Sequence, residues 1–493
     1  MESKTPTFEE LWNLCQALQA RNEQLTALNA SLTALNSKIV AENATLKARL
    51  ERFEERVAKN STNSSKPPSS DGPKARAQRP SRSGKSSRKR GAQRGHKGHK
   101  RVALPPERID QFVTIAPQHC RHCHAPFDPD NLGRPTYQHQ VADLDADRGG
   151  LHVIQYQMTR RRCAQCARWT RALLPQDLRW NIGPRMAALL SVLTGRFHLS
   201  KVKACELLEY IFKWRISPGT VCAFEHQTSC ALERPCQEAL QAVQQAQCGR
   251  HGDETSWPQA HKGNYGWLWL LATKVVAVFG VHDRRDKEAA LTMVGHSGEH
   301  ATVTDRFGSW LSVLGALNQF CWAHLGRDFK AIAQCKDEAM AQVGSKLFEC
   351  AQEVFARWRE KKHGALSHEE MVAALNKVRG RVKEELERGR RCEHKAHRGL
   401  CKRLLEQESH LWVFLEVEGL APDNNHAERL LRNAVLWRKR SGGSASERGS
   451  RFTERILTSI ESLRLQGRDV LDYLEAAIAS WRLNLSPPSL LPS

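Results

Sequence analysis

Apolar side chains recur every seven residues along the first part of the chain. One register of this pattern is filled by Leu11, Leu18, Leu25, Leu32, Ile39, Leu46 and Phe53, and Leu14, Leu28 and Leu35 occupy offset positions. Such a sustained heptad is typical of a coiled coil, although Arg21, Glu42 and Arg49 interrupt its second position. We predict one long helix over residues 8–58 in a self-associating domain, 1–58. The alternative is a helix that packs on its own protein.

The apolar pattern ends abruptly, and turn-forming and basic residues dominate residues 59–105. Residues 66–101 contain thirteen lysines and arginines but a single acidic residue. A segment of this kind cannot bury a core, so we predict a linker that is disordered when free. Its cations, among them Arg88, Lys89 and Arg90, are expected to bind DNA phosphates without sequence preference. The alternative is a solvated linker that binds nothing.

Two C-x-x-C pairs lie in the next segment, residues 106–180. They are Cys120 with Cys123 and Cys163 with Cys166, separated by an alternating stretch, Leu151–Met158, that predicts a strand. Four thiolates on two such turns can hold one tetrahedral Zn²⁺ at ~2.3 Å. Because all four ligand positions are filled, a structural zinc module is predicted. Nearby alternative ligands, which we expect to contact solvent or phosphate instead, are His119, His122 and His124.

The remaining chain alternates between helical and strand patterns. Residues 181–248 read as helices, one capped by Ser200 and the next with Pro218 in its first turn, and are compatible with a helix-turn-helix or an ordinary bundle. Three strands, a helix, a strand, a helix and a strand follow, in the order of a ribonuclease-H-like α/β core. The predicted parts are the core at 249–328, a basic helical insertion at 329–420, a return to the core at 421–450, and a C-terminal segment at 451–493 with one helix from about Phe452 to Trp481.

Three acidic residues in this region are candidate ligands of divalent cations. Asp253 lies on the first predicted strand, Asp305 ends the fourth, and Glu428 lies early in a helix among arginines. Carboxylates from separate elements can hold two divalent ions that activate an attacking oxygen and stabilise a leaving one. Mg²⁺, or Mn²⁺, suits such a site. Singly, each acid has a structural alternative: a strand-end ion pair with Arg250 for the first, turn formation for the second and a helix-capping box for the third.

The bulk composition agrees with a polyanion partner. The 493 residues carry a formal net charge of +22, which favours double-stranded DNA. The sequence has no apolar run long enough to cross a membrane and no apolar signal core at its start. Cysteines outside the two pairs are scattered like core residues, so we expect a reducing cytoplasm.

Several motifs, in order along nearly the whole chain, resemble one family. They are the linker signature Asn60–Gly72, Gly91–Gly98 (with Ala92 in place of a glycine), the four cysteines, Asp253–Thr255, Thr304–Asp305, Cys321–His324, Asp423–Arg432, and Arg438–Lys439 before Ser-Gly-Gly. This chain is identified as a member of the DDE-type bacterial insertion-sequence transposases of the IS-sixty-six group. The stretch that follows Asp305 departs from the family pattern.

The resemblance implies an enzyme that cleaves and joins DNA strands at the ends of its element. Its catalytic, Mg²⁺-binding triad would be Asp253, Asp305 and Glu428, with Arg429, Arg432, Arg438 and Lys439 as DNA contacts. It also implies accessory proteins of the same element and a bacterial, nucleoid-associated location. The rival functions are a zinc-containing DNA-binding regulator without catalysis and a metal nuclease that cuts without joining.

Overall fold

The computed structural model describes residues 7–58, 103–247, 249–260, 262, 264–295, 300–393 and 395–492. The chain divides into two compact units, residues 1–75 and 76–493. The linker and its candidate DNA contacts Arg88, Lys89 and Arg90 lie outside the described residues. Within the described part, no helix is long and apolar enough to cross a membrane. The structure is a multidomain α+β protein with two mixed sheets.

The first unit contains the predicted long helix. Helix α1 runs over Phe8–Ala58, without interruption. The heptad side chains that are described lie in solvent, with exposures between 46% for Ile39 and 64% for Phe53. The apolar seam of α1 is thus open to solvent in the first unit, and its self-association stays a prediction.

The second unit begins with a four-stranded mixed sheet that carries the four cysteines. Strand β3 is central: β1 pairs with it in parallel, and β2 and β4 pair with it antiparallel. The two C-x-x-C turns lie just before β2 and between β3 and β4. The strands are β1 (Gln111–Ile115), β2 (Arg134–Leu144), β3 (Leu151–Arg162) and β4 (Trp169–Arg171).

Four helices follow this sheet. The predicted Ser200 cap is confirmed, because its side chain accepts a hydrogen bond from the backbone N–H of Lys203; Ser217 caps the next helix in the same way, through the N–H of Thr220. The helices share one apolar core with the larger sheet and the C-terminal helices. They are α2 (Pro184–Gly195), α3 (Lys201–Phe212), α4 (Pro218–Ala231) and α5 (Glu233–Gln245).

A five-stranded mixed sheet forms the centre of the second unit. Three antiparallel strands, β5 (Arg250–Gln259), β6 (Asn264–Ala272) and β7 (Ala277–His282), come first. Two short strands then add in parallel beside β5, which gives the order β7-β6-β5-β8-β9. The connecting elements are α6 (Lys287–Val294), β8 (Thr302–Thr304), α7 (Gly308–Leu314) and β9 (Asn318–Phe320).

A helical segment with its own apolar core packs against β8 and β9. Several arginines of its basic runs pair with glutamates of the same segment. Arg379 makes a bidentate contact with Glu408, at 2.7 and 2.8 Å, and Arg381 and Arg388 also pair with glutamates. The helices are α8 (Trp322–Ala333), α9 (Glu338–Lys362), α10 (His368–Gly389), α11 (Lys395–Glu406) and α12 (Val413–Glu416).

Three helices complete the chain: α13 (Asn425–Ser441), α14 (Glu447–Leu465) and α15 (Val470–Arg482). The prediction of one final helix from Phe452 to Trp481 is wrong. Gly467 adopts φ +68°, which ends α14, and Asp469 caps the start of α15. The sequence signal for this break is Gly467 followed two residues later by the capping Asp469.

Helix α14 protects the open edge of the five-stranded sheet. Alternate backbone N–H groups of β7 point away from β6, and side chains four residues apart on α14 accept their hydrogen bonds. The pairs are Ala277 with Ser462 at 3.0 Å, Phe279 with Thr458 at 3.0 Å and Val281 with Glu454 at 2.7 Å. The edge strand is therefore satisfied by side chains and cannot pair with another chain.

Candidate functional site

Two of the three predicted acids lie at matching positions on neighbouring parallel strands. In the register between β5 and β8, His251 lies opposite Val303. Asp253 and Asp305 each lie two residues beyond this pair, with Asp305 directly after the end of β8. Glu428 comes from the first turn of α13. The three acids thus come from a strand, a strand end and a helix, as the sequence predicts.

A buried asparagine attaches the Glu428 helix to this sheet. The Asn424 side chain, which is fully buried, donates to the Gly252 carbonyl at 2.8 Å and contacts His251 Nδ1 at 3.2 Å. Its backbone N–H donates to Cys321 Sγ at 3.2 Å. Because Gly252 precedes Asp253 and Asn424 precedes α13, this one side chain fixes the helix start beside the first acid.

The Cys321–His324 motif supports the same arrangement from the other side. Cys321 and Trp322 are buried at the start of α8, and the backbone N–H of Trp322 donates a hydrogen bond to the Pro422 carbonyl at 2.9 Å. His324 Nδ1 lies 3.8 Å from Glu428 Oε1. The motif therefore packs against the Glu428 segment, which agrees with the sequence-based view that it is not half of a metal site.

Burial and neighbouring negative charges raise the pKa of the Asp253 carboxyl. Burial, followed by the charges of Glu254, Asp305 and Glu428, raises the pKa of Asp253 to about 8, although the Glu254 N–H opposes this shift. The Asp253 carboxyl therefore keeps its proton near neutrality in the absence of a cation. A bound divalent cation would favour the ionised form and release that proton.

The other two acids contact cationic side chains. Arg285 lies 3.7 Å from Asp305 Oδ2, and Arg327 lies 3.4 Å from Glu428 Oε1. In the part of the chain that the structure describes, the four cysteines form a cluster whose ligand atoms all lie within 4.8 Å of one another, and the three carboxylates do not belong to such a cluster.

Arg285 connects the acids to the sheet interior and was missed from the sequence. Its guanidinium hydrogen-bonds Glu254 Oε1 and lies 3.7 Å above the Phe307 ring. The other Glu254 oxygen accepts from Trp310 Nε1 at 2.6 Å. Glu254 is thereby committed to the protein, and Asp253 rather than its neighbour remains for ligands. Only the chain fold reveals this contact, because Arg285 lies in an ordinary loop sequence before α6.

An open cleft of about 450 Å³ joins Asp253 and Glu428 to basic side chains of α13. It is lined by Asp253, Glu428, Asn425, Arg429 and Arg432, among others. Arg429 and Arg432 are exposed on this face. The sequence does not predict which side chains around Glu428 face the site. In the structure Asn424 points into the protein, whereas Asn425, Arg429 and Arg432 line the cleft.

Arg438 and the glycines that follow α13 contact strand β5. The Arg438 guanidinium hydrogen-bonds Thr255 Oγ1 at 2.8 Å and also binds Ser256, and its half-burial lowers its pKa. Gly443 (φ +85°) approaches β5 so closely that a Cβ would lie 2.0 Å from the Pro258 carbonyl oxygen. These residues anchor the end of α13 to β5, and Lys439 is exposed beside them; a role of Arg438 and Lys439 as DNA contacts stays a prediction.

The structural alternatives for the three acids can now be compared with the contacts. Arg250 bonds Thr302, the Gln244 carbonyl and the His300 carbonyl, so it does not pair with Asp253. Asn424 is the N-cap residue of α13, and its side chain accepts no hydrogen bond from the first turn of the helix. Glu428 is therefore not part of a capping box. Asp305 does form a turn, because its Oδ1 accepts the Phe307 N–H at 2.9 Å.

The four cysteines of the smaller sheet form a second candidate site. Cys120 Sγ lies 3.5 Å from Cys166 Sγ, and Cys123 Sγ lies 3.5 Å from Cys163 Sγ. Tetrahedral zinc with ~2.3 Å bonds separates its sulfurs by about 3.8 Å, so the group fits zinc. None of His119, His122 and His124 belongs to this cluster among the described residues.

Backbone amides favour thiolates at two of the four positions. The N–H groups of Cys123 and His122 lower the pKa of Cys120 to about 5, and the Cys166 N–H lowers that of Cys163. The Ala125 N–H acts the same way on Cys123, yet the adjacent sulfurs and burial raise that pKa to about 12. Four thiolates this close therefore need a cation.

Comparison with known families gives two matches. A family model described as "Transposase IS66 family" matches residues 179–452, more than half of the chain, and includes all three acids. A second model, for a family of unknown function, matches residues 6–102. No curated protein matches the chain.

Proposed function

Because the chain belongs to the transposase IS66 family, we propose that it binds the ends of an insertion sequence and catalyses metal-dependent strand cleavage and strand transfer. The observation that supports this most is that Asp253, on β5, and Glu428, on α13, line one open cleft with two arginines, while Asp305 lies at the matching position on the strand beside Asp253. Family membership makes DNA the partner, and the cleft supplies the chemistry.

We propose a ribonuclease-H-like catalytic core. Its support is the strand order β7-β6-β5-β8-β9, in which three antiparallel strands are followed by two parallel ones. The helical insertion would separate the second and third acids in sequence while Asn424 returns the chain to the sheet. The four cysteines would hold a structural zinc, and helices α2–α5 would contribute to end recognition.

In this site Asp253, Asp305 and Glu428 would hold divalent cations, Mg²⁺ or Mn²⁺. Bound cations would activate the attacking oxygen and stabilise the leaving oxygen of an in-line displacement. Arg429 and Arg432, exposed beside the acids, would bind flanking phosphates and align the scissile strand. Arg285 and Arg327 would keep the Asp305 and Glu428 carboxylates oriented between turnovers.

The proposal is tested with the purified chain, Mg²⁺ and duplexes that carry the element's terminal sequences. The expected result is nicking at the element end followed by joining of the freed 3′ end to a target duplex, with neither product in EDTA. Cutting without joining would identify a metal nuclease. Binding without cutting, in Mg²⁺ and in Mn²⁺, would overturn catalysis and leave a DNA-binding regulator.

We also propose that α1 forms a coiled coil with α1 of a second chain. The apolar heptad side chains are exposed in the isolated unit, and two such seams would cover each other. Replacing Leu25 and Leu32 by Asp is expected to convert a dimer or larger assembly to monomer, measured by sedimentation. The matched control exchanges Asn22 and Asn29, which lie outside the seam, for Asp. An unchanged mass for the leucine variant would contradict the proposal.

A further inference from the structure

A row of arginines crosses three strands of the cysteine-bearing sheet. Arg134 on β2 lies directly opposite Arg160 on β3, and Arg160 lies directly opposite Arg171 on β4. Residues opposite each other on adjacent strands share a face. Arg162, two residues beyond Arg160, lies on this face as well and opposes Trp169. We call Arg134, Arg160, Arg162 and Arg171 the arginine row.

Trp169 holds two members of the row in place. The guanidinium carbons of Arg160 and Arg134 lie 4.7 and 5.9 Å from its ring centroid. Gly133, with φ +77°, directly precedes β2, and a Cβ at this position would lie only 2.6 Å from the Arg160 carbonyl oxygen, so a larger residue could not fit. The fold therefore brings the arginine row together at the edge beside the cysteine cluster, where Cys163 directly follows Arg162.

The arginine row has no acidic partner in the part of the chain that the structure describes. Arg379 and Arg381 of the insertion form ion pairs with glutamates, whereas no member of the row forms one. The Nε of Arg160 is also buried without a hydrogen-bond partner. Like charges directly opposite each other on a sheet repel, so this row is stabilised when an anion covers it.

The geometry of the row fits a phosphodiester backbone. Adjacent strands are ~4.8 Å apart, so Arg134 and Arg171 are separated by roughly 10 Å across the sheet. Each strand of a duplex carries one phosphate per ~3.4 Å of its axis, so a span of this length reaches more than one phosphate. The groove beside it, of about 660 Å³, is lined by Arg134, Arg160 and Arg162, with Asp128 as its one acidic residue.

We propose that the arginine row binds the phosphate backbone of double-stranded DNA, with the cysteine cluster as its rigid base. This site is separate from the acidic cleft, and it shares with the proposed function only the premise that DNA is the partner. It gives the zinc module a direct binding role in addition to a structural one. Its contacts are to the backbone, so it would add affinity without base preference.

The test compares two double variants of the full chain. R134Q/R171Q removes two charges from the row. R148Q/R179Q removes two charges from exposed arginines of the same module, with Arg148 in the β2–β3 turn at the other end of the sheet. Binding of a fluorescent duplex is measured by anisotropy in EDTA over a series of NaCl concentrations, so that cleavage plays no part. Zinc content is measured for both variants.

The row variant is expected to lower the slope of log K against log[NaCl] by about two and to weaken binding on the order of 10–100-fold at 0.1 M NaCl, while the control variant changes neither. R134K/R171K, which keeps both charges, should retain the wild-type slope. If R134Q/R171Q loses its zinc, the single variants R134Q and R171Q carry the test, each with an expected slope change of about one. Equal slopes and affinities for the row and control variants would overturn the proposal.

This result is independent of the acidic cleft. Loss of salt-dependent binding in the row variant, with strand cleavage still detectable at low salt, would support the arginine row alone. Failure of the wild-type chain to cleave DNA would overturn the proposed catalysis and leave the binding comparison valid.

Discussion

Replacing Asp253 by Asn or Glu428 by Gln is expected to lower the rate of Mg²⁺-dependent strand cleavage about 10³-fold or more, with duplex binding in EDTA unchanged. A divalent ion that loses one of its three carboxylates loses several kcal/mol of transition-state stabilisation, and each ~1.4 kcal/mol is tenfold in rate. Both substitutions keep the size of the side chain. The measurement is single-turnover cleavage of an end-sequence duplex.

The matched control is Glu447→Gln, which removes an exposed carboxylate from the first turn of α14. It should cleave at the wild-type rate. Wild-type cleavage by either triad variant would contradict the assignment of that residue. Loss of cleavage together with loss of DNA binding would indicate a folding defect rather than a missing ligand.

Stability measurements distinguish a functional from a structural role for Asp253. Its pKa in the fold, about 8, lies well above the usual pKa of an aspartate carboxyl, so the folded state binds the proton more tightly than the unfolded state. Ionising this carboxyl therefore destabilises the metal-free fold progressively as the pH rises from about 4 to about 8. Asp253→Asn removes that penalty, and its unfolding free energy should equal or exceed that of the wild type at pH 8, in EDTA. A residue retained for stability would show the opposite.

The sequence predicted the positions of the three acids but not what brings them together. Asp253, Asp305 and Glu428 could be assigned to a strand, a strand end and a helix because the order of strands and helices follows from apolar periodicity, whereas their role as a metal-binding triad stays a prediction that rests also on the family resemblance. Asn424 shows the limit of such reasoning. As a helix cap it has a local role, whereas its contacts to Gly252, His251 and Cys321 join segments more than a hundred residues apart.

Charged residues show the same limit. Arg438, predicted as a DNA contact, also hydrogen-bonds β5, and Arg379 of the basic insertion pairs with Glu408. The arginine row lies in a segment whose cysteines dominated the sequence-based view. Whether an arginine is free or paired depends on strand register and helix packing, which composition does not contain. The match of α14 side chains to alternate N–H groups of β7 is equally non-local, because it relates a four-residue period to a two-residue one.

Removal of zinc is expected to unfold the cysteine-bearing edge of the smaller sheet. The apolar cluster there consists of Cys120, Ala125 and Cys163, with Phe127 and Cys166 packed against it. So few apolar contacts cannot hold two turns against chain entropy. Structural zinc in small modules contributes roughly 10–16 kcal/mol of apparent binding free energy, so the metal would supply most of the stability of this edge.

The measurement is zinc content together with protease resistance of the module. Wild-type protein should contain one zinc per chain, and Cys163→Ser should lose it and become sensitive to cleavage between residues 116 and 172. Cys230→Ser, a half-buried cysteine of α4, is the control and should keep its zinc. Because the arginine row lies on the same edge, Cys163→Ser should also weaken duplex binding with a shallower salt dependence. Full zinc content in Cys163→Ser would show that the four thiols do not form the metal site.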